Sequence, residues 1–249
     1  MTKKLQNKWN DKLASKMSEP ELLLYRSNLL GSDLRITNFG GGNTSAKIEM
    51  PDTLTGKNQN VLWVKGSGGD LGSMNLDGFS TLYMDKLNKL KELYRGLKYE
   101  DEMVDYLPHC TFNLNPRAAS IDTSLHAFIP NKHVDHTHPD AAIAVACMKN
   151  SKKMTKIIFG EDMAWIEWQR PGFDLGLKLE KIAKSNPKLK GVILGQHGLF
   201  TWGETSKECY ELTLSTIQRA ADWFEKNKTK EAFGGAKYKK TLSQSERIE

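Results

Sequence analysis

The chain predicts an α/β domain, a layered α/β/α arrangement in which a central mixed, largely antiparallel sheet is covered by helices. Three observations carry this expectation. Short apolar runs of strand length recur between segments whose leucines repeat with helical spacing. Turn-rich residues join two of those runs as a hairpin would. The 249 residues, 39% of them apolar, suffice to bury one large core, and no repeat or internal boundary divides them.

The elements follow in order. Ser18-Glu19-Pro20-Glu21 is a capping box with proline in the first turn; Leu22, Leu23, Leu24 and Leu29 continue a helix that Gly31 stops. Strand-like runs follow at 36–39, 44–50 and 61–65, with 51–60 closing a hairpin between the last two. Leu87, Leu90 and Leu93 place a helix at 85–94 with Gly96 as its stop, and 100–107 reads as another. A helix at 122–128 precedes a strand at 134–138. Pro139 then opens a helix through 148 whose buried side is Ala141, Ile143, Ala144 and Ala146. A helix at 151–159 ends at Gly160, 164–168 alternates like a strand, and 173–184 has helical spacing. Strands at 191–194 and 199–202 bracket His197 before a last helix at 205–226. The expected organisation is a basic segment at 1–17, a domain at 18–227, and a tail at 228–249 that is poorly ordered or the start of a further region.

The net charge of +6 sits at the ends: residues 1–16 carry +4 and 226–240 carry +5, so the interior is slightly acidic. That placement, with no basic stripe interleaved with aromatics, argues against a nucleic-acid partner. Cys110, Cys147 and Cys209 are widely spaced, as expected of reduced thiols in the cytoplasm. The longest apolar stretch, 141–147, is too short to span a bilayer, and the lysine-rich start lacks the apolar core of a secretion signal. A soluble cytoplasmic protein, without nucleic acid or membrane as partner, is the expectation.

The chemistry concentrates in histidines. In a strand, positions i and i+2 share a face, so His136 and His138 present two imidazoles that one ion can bridge. His197, at the end of another apolar run, supplies a third. Three nitrogens with positions left open describe a catalytic zinc rather than a structural one, although the pair alone also suits ordinary histidines at a strand end. His109, His126 and His133 read as structural. A ligand's second ring nitrogen needs a carboxylate or carbonyl, for which Asp135, Asp140 and Glu204 are candidates. Two glycine clusters, Gly40-Gly41-Gly42-Asn43-Thr44-Ser45 and Lys65-Gly66-Ser67-Gly68-Gly69-Asp70-Leu71-Gly72, stand at strand ends. Each suits an anion nest or a tight turn equally well, and neither has the spacing of a dinucleotide fingerprint or a P-loop.

In sequence order, Gly-Gly-Asn-Thr-Ser, Lys-Gly-Ser-Gly, Ser120-Ile121-Asp122 with His126, His-x-His before a helix, and His-Gly-Leu-Phe-Thr-Trp-Gly resemble the class II aldolase/adducin family over about residues 20 to 226. The runs Pro116 to His126 and Trp63 to Gly72 look most like the aldolase unit of bifunctional rhamnulose-1-phosphate aldolase/alcohol dehydrogenases. The resemblance implies a Zn²⁺ on His136, His138 and His197 and cleavage of a ketose 1-phosphate, L-rhamnulose 1-phosphate, to dihydroxyacetone phosphate and L-lactaldehyde. It implies phosphate binding by Asn43, Ser67, Gly68 and Ser120, with Thr44, Lys65 and Gly66 adding donors. Asp122 falls where the family usually has a catalytic glutamate, and Ile121 where a serine is typical; Asp122 also suits a helix N-cap, with Glu102 then the substitute. Homotetramers with sites between subunits are the family's habit. A sugar-phosphate 4-epimerase or dehydratase, or a non-catalytic adducin-like interaction module, are the alternatives.

Overall fold

Side chains alternate between two faces along 43–51 and again along 58–65, and Asp52 reverses the chain between them by accepting from the N–H groups of Leu54 and Thr55. Gly56 takes a φ of 67° in that turn. The result in the computed structural model, which describes residues 4–228, 242–243 and 245–247, is the antiparallel pair β1 (Asn43–Pro51) and β2 (Asn58–Lys65). With β3 (Phe79–Tyr83), β4 (His133–Thr137), β5 (Met163–Ile166), β6 (Gly191–Leu194) and β7 (Gly198–Gly203) they form one sheet in the order β3-β2-β1-β4-β7-β6-β5. Only β5 and β6 pair in parallel, so the sheet is mixed and largely antiparallel.

The helices are α1 (Asp11–Ala14), α2 (Glu19–Gly31), α3 (Met84–Leu93), α4 (Glu102–Asp105), α5 (Thr123–Phe128), α6 (Asp140–Ala146), α7 (Ser151–Phe159), α8 (Phe173–Ser185) and α9 (Ser206–Asn227). One sheet face carries α2, α6, α7 and α9, packed through Leu30, Val145, Phe159, Ile193, Leu199, Leu214 and Ile217. The other carries α3, α5 and α8, packed through Leu62, Val64, Leu87 and Phe128 on one half and Leu125, Val134, Leu179, Val192 and Phe200 on the other. The layered α/β/α architecture is therefore as expected. The N-terminal segment docks on the first face, where the Trp9 ring meets those of Tyr25 and Tyr210 and the Leu5 N–H donates to Gln218. Among the described residues no helix is long and apolar enough to cross a membrane. The expected tail at 228–249 lies largely outside the described residues.

The structure corrects several elements. Residues 36–39 are turns, not a strand: the N–H groups of Ile36 and Thr37 return to the Asp33 carbonyl, curling Ile36 into the core and leaving Phe39 exposed. Residues 100–107 hold only the four-residue α4 between two 3-10 turns, because Pro108 and a surface rich in Glu and Asp leave no apolar face long enough to seat a continuous helix. The strand β3 has no counterpart in the sequence reading; Phe79–Tyr83 mixes apolar and hydroxyl residues that are all buried or half-buried, so alternation is hidden. Gly31 is the last residue of α2, but its φ is not left-handed and it serves close packing, since a Cβ there would lie 2.1 Å from the Gly72 nitrogen.

Candidate metal centre

The register of three central strands assembles the site. Asn43 of β1 lies opposite His136 of β4, which lies opposite Phe200 of β7. Directly opposed residues share a sheet face, so the three form a row. The Phe200 ring lies flat against the His136 imidazole, with centroids 4.2 Å apart and planes 11° from parallel. His138 stands one residue past the end of β4, and its two-residue offset returns it to the His136 side. His197 comes from the turn joining β6 to β7. There Gln196 adopts a left-handed φ of 58°, its N–H donating to the Ala146 carbonyl, while the His197 N–H donates to Leu194.

The candidate ligand nitrogens of His136, His138 and His197 all lie within 4.8 Å of one another. Gly198 makes room for them: a Cβ at that position would sit 2.7 Å from His138 Cδ2 and 2.8 Å from the Thr137 carbonyl oxygen. His136 Nδ1 donates to the Leu199 carbonyl (3.0 Å), so the neutral ring presents its lone pair at Nε2, 3.0 Å from His138 Nε2. Burial, reinforced by the neighbouring imidazoles, pushes His136 well below the usual histidine range and His138 down to about 4; burial also lowers His197. All three are thus held neutral and donor-ready near pH 7. Three neutral nitrogens this close to one another fit a divalent cation.

The partner of His136 corrects the expectation of a carboxylate. Asp135 faces the opposite side of the sheet, where it meets Arg26 (2.9 Å) and Thr213 (2.9 Å). Asp140 is exposed, and Glu204 accepts from Asn131. A backbone carbonyl does the orienting instead. Of the other histidines, His133 begins β4, buried with Nδ1 2.8 Å from Arg26. His126 is buried beside Ser45 (2.8 Å), burial pushing it down to about 3, and His109 is exposed in a 3-10 turn.

Asp122 stands just ahead of α5 and does not cap it with its side chain. Its Oδ2 instead accepts from Asn43 Nδ2 at 2.8 Å, which brings the carboxylate to the row that contains His136. Burial raises it to about 6, with Lys65 pulling the other way. Asn43 is committed on both sides: its Nδ2 also reaches Ser120 Oγ (3.2 Å), and Lys65 Nζ donates to its Oδ1 (3.3 Å). Asn43, Lys65, Ser120 and Asp122 are therefore one cluster. Thr44 is not part of it, since its hydroxyl meets Ser27 of α2 (2.7 Å) on the far face. Gly66 and Ser67 spend their N–H groups on the Gly78 and Ala118 carbonyls. The Ser67 side chain and Gly68, at φ 75°, are exposed at the end of β2. Glu102 lies on α4, paired with Arg95 at 2.6 Å. Gly198 and Phe200 escaped the sequence reading; the glycine directly after His197 was the available signal, whereas the Phe200 platform needs the strand register.

Comparisons with known proteins agree with this geometry. Residues 21–223 match the family described as the class II aldolase and adducin N-terminal domain. The chain is 43% identical over 232 residues to a Bacillus subtilis protein named as the uncharacterized oxidoreductase YuxG, covering 92% of this chain but only 33% of that protein. Its fold resembles the N-terminal class II aldolase domain of a conserved Thermoplasma acidophilum protein with a TM-score of 0.79 at 32% identity, over 88% of this chain and 99% of that one. A Thermotoga maritima sugar-phosphate aldolase shares the fold alone, with a TM-score of 0.58 at 15% identity over 83% of this chain and 93% of that one. With the match spanning most of its length and the three imidazoles gathered at one point, the chain belongs to the class II aldolase/adducin family.

Proposed function

We propose that the chain is a zinc-dependent aldolase that cleaves a ketose 1-phosphate, L-rhamnulose 1-phosphate, to dihydroxyacetone phosphate and L-lactaldehyde. The observation that carries this reading is the convergence of His136, His138 and His197, which a non-catalytic interaction module does not need. Held by these three, a divalent cation supplies Lewis acidity toward the substrate's carbonyl and hydroxyl oxygens. Ser67, Gly68, Ser120 and Lys65 take the phosphate end, and that remote binding energy holds the reacting carbons against the histidine cluster. Asp122 moves the proton at the carbon from which the aldehyde departs, a task suited to a half-buried carboxyl tuned toward neutrality. Asn43 orients it, and Lys65 balances its charge. Residues 18–227 form the aldolase unit, and the relative of which the match covers only 33% supports reading this chain as the counterpart of one unit of a longer bifunctional protein. The family's habit of homotetramers in the cytoplasm is carried over with the same reading.

The test is to incubate zinc-loaded protein with L-rhamnulose 1-phosphate, L-fuculose 1-phosphate and other ketose 1-phosphates and to assay dihydroxyacetone phosphate. Release from the rhamnulose ester is expected. A zinc-loaded protein that releases it from none of them rejects the aldolase reading, and an epimerised or dehydrated product in its place assigns the chemistry to the 4-epimerase or dehydratase alternative.

A further inference from the structure

Arg117 lies on the segment before α5 and is tied to the glycine loop at the end of β2. The Ser67 N–H donates to the Ala118 carbonyl (3.0 Å), and the Ser80 hydroxyl donates to the Arg117 carbonyl (2.8 Å). Gly66 lets this strand-like contact close, because a Cβ there would lie 2.8 Å from Arg117 Cβ. The Arg117 guanidinium is exposed and reaches back to the Ser67 carbonyl by one long hydrogen bond of 3.4 Å. No carboxylate pairs with it among the described residues. Most of its five donors are thus available at a turn where the Ser67 side chain is exposed and the Gly68 and Gly69 N–H groups have no partner among the described residues.

The charges around this turn give Arg117 its weight. Burial first, and then the Arg117 charge, push the Lys65 ammonium down, while Asp122 and Asp70 pull it up. With Arg117 the cluster holds two cations against two carboxylates. Without it, one cation faces two carboxylates, and Lys65 is already engaged with Asn43. A phosphate monoester carries about −1.5 to −2 near neutral pH, and of the two side-chain cations at this turn Arg117 is the one with most of its donors uncommitted to the protein. We propose that Arg117 is the specificity-determining cation of the site, binding a phosphate monoester at the Ser67–Gly69 turn and setting the preference for phosphorylated over unphosphorylated sugars. This rests on the reading above that the turn receives the phosphate end.

Inorganic phosphate is the probe, titrated calorimetrically into the zinc-loaded full chain. Arg117→Ala weakens phosphate binding by about tenfold or more, the loss of charge-assisted hydrogen bonds. Arg117→Lys falls between, because a point charge replaces a planar fork. The control Arg170→Ala, which removes a surface cation paired with Asp101, leaves it unchanged, and zinc content stays at the wild-type value in all three. Unchanged phosphate affinity in Arg117→Ala, an equal loss in Arg170→Ala, or a wild-type protein that binds no phosphate each overturns the proposal. Phosphate binding needs no turnover, so a failed aldolase assay and a failed role for Arg117 are separate results.

Discussion

At the scale of single residues, the site depends on where neutral and ionised groups are held. Asp122 is raised to about 6 by burial, and its carboxylate form is the one that can take a proton. The expected kcat/KM therefore rises with pH through an apparent pKa of no more than about 6, since a bound dication nearby would only lower that value. Asp122→Asn removes this limb and lowers kcat by about 10² to 10⁴ with a small change in KM, as a steady-state pH profile will read. The stability consequence has the opposite sign. The folded carboxyl takes up a proton more readily than the unfolded one, so folding loses stability as pH climbs from about 4 to about 6.

At the scale of elements, β4 is addressed from both faces. One face presents His136 to the candidate cation; the other presents Asp135 to Arg26 of α2 and Thr213 of α9, with Arg26 and Asp135 fully buried. Removing one member of such a pair strands the other charge. Asp135→Ala is expected to cost about 3–5 kcal/mol in a urea-unfolding experiment. The sequence showed β4 plainly, because Val134, His136 and His138 fall at every second position and so on one strand face, and it showed the β1–β2 hairpin through its turn residues. It did not show that Asp135 bonds to a helix a hundred residues earlier, or that the Leu199 carbonyl, not an acid, orients His136, because both follow from strand register and helix placement. For the same reason the 36–39 run deceived: Ile36, Thr37 and Phe39 are residue types favoured in strands, yet the local Asp33 turn wins where no neighbouring strand offers hydrogen bonds. Asp122 was legible as a carboxylate before a helix, but the choice between cap and buried acid needed its contact with Asn43.

At the scale of the whole molecule, the three imidazoles come from β4, from the residue just past its end and from the turn joining β6 to β7, so a cation held there ties together segments about sixty residues apart in sequence. Such a ligand stabilises the folded state by about 2.7 kcal/mol when its free concentration is 100 times its Kd. Chelation is accordingly expected to lower Tm by roughly 5–10 °C for a domain of this size, with zinc restoring it, measured by differential scanning calorimetry. The β1–β2 hairpin has a practical consequence of its own. β1 begins beside the histidines and runs nine residues away from them, which at about 3.4 Å per residue places its turn roughly 27 Å distant. Residues 53–58 of that bend are exposed, so a fluorophore or affinity tag spliced into it would report on the enzyme from afar without intruding on its chemistry.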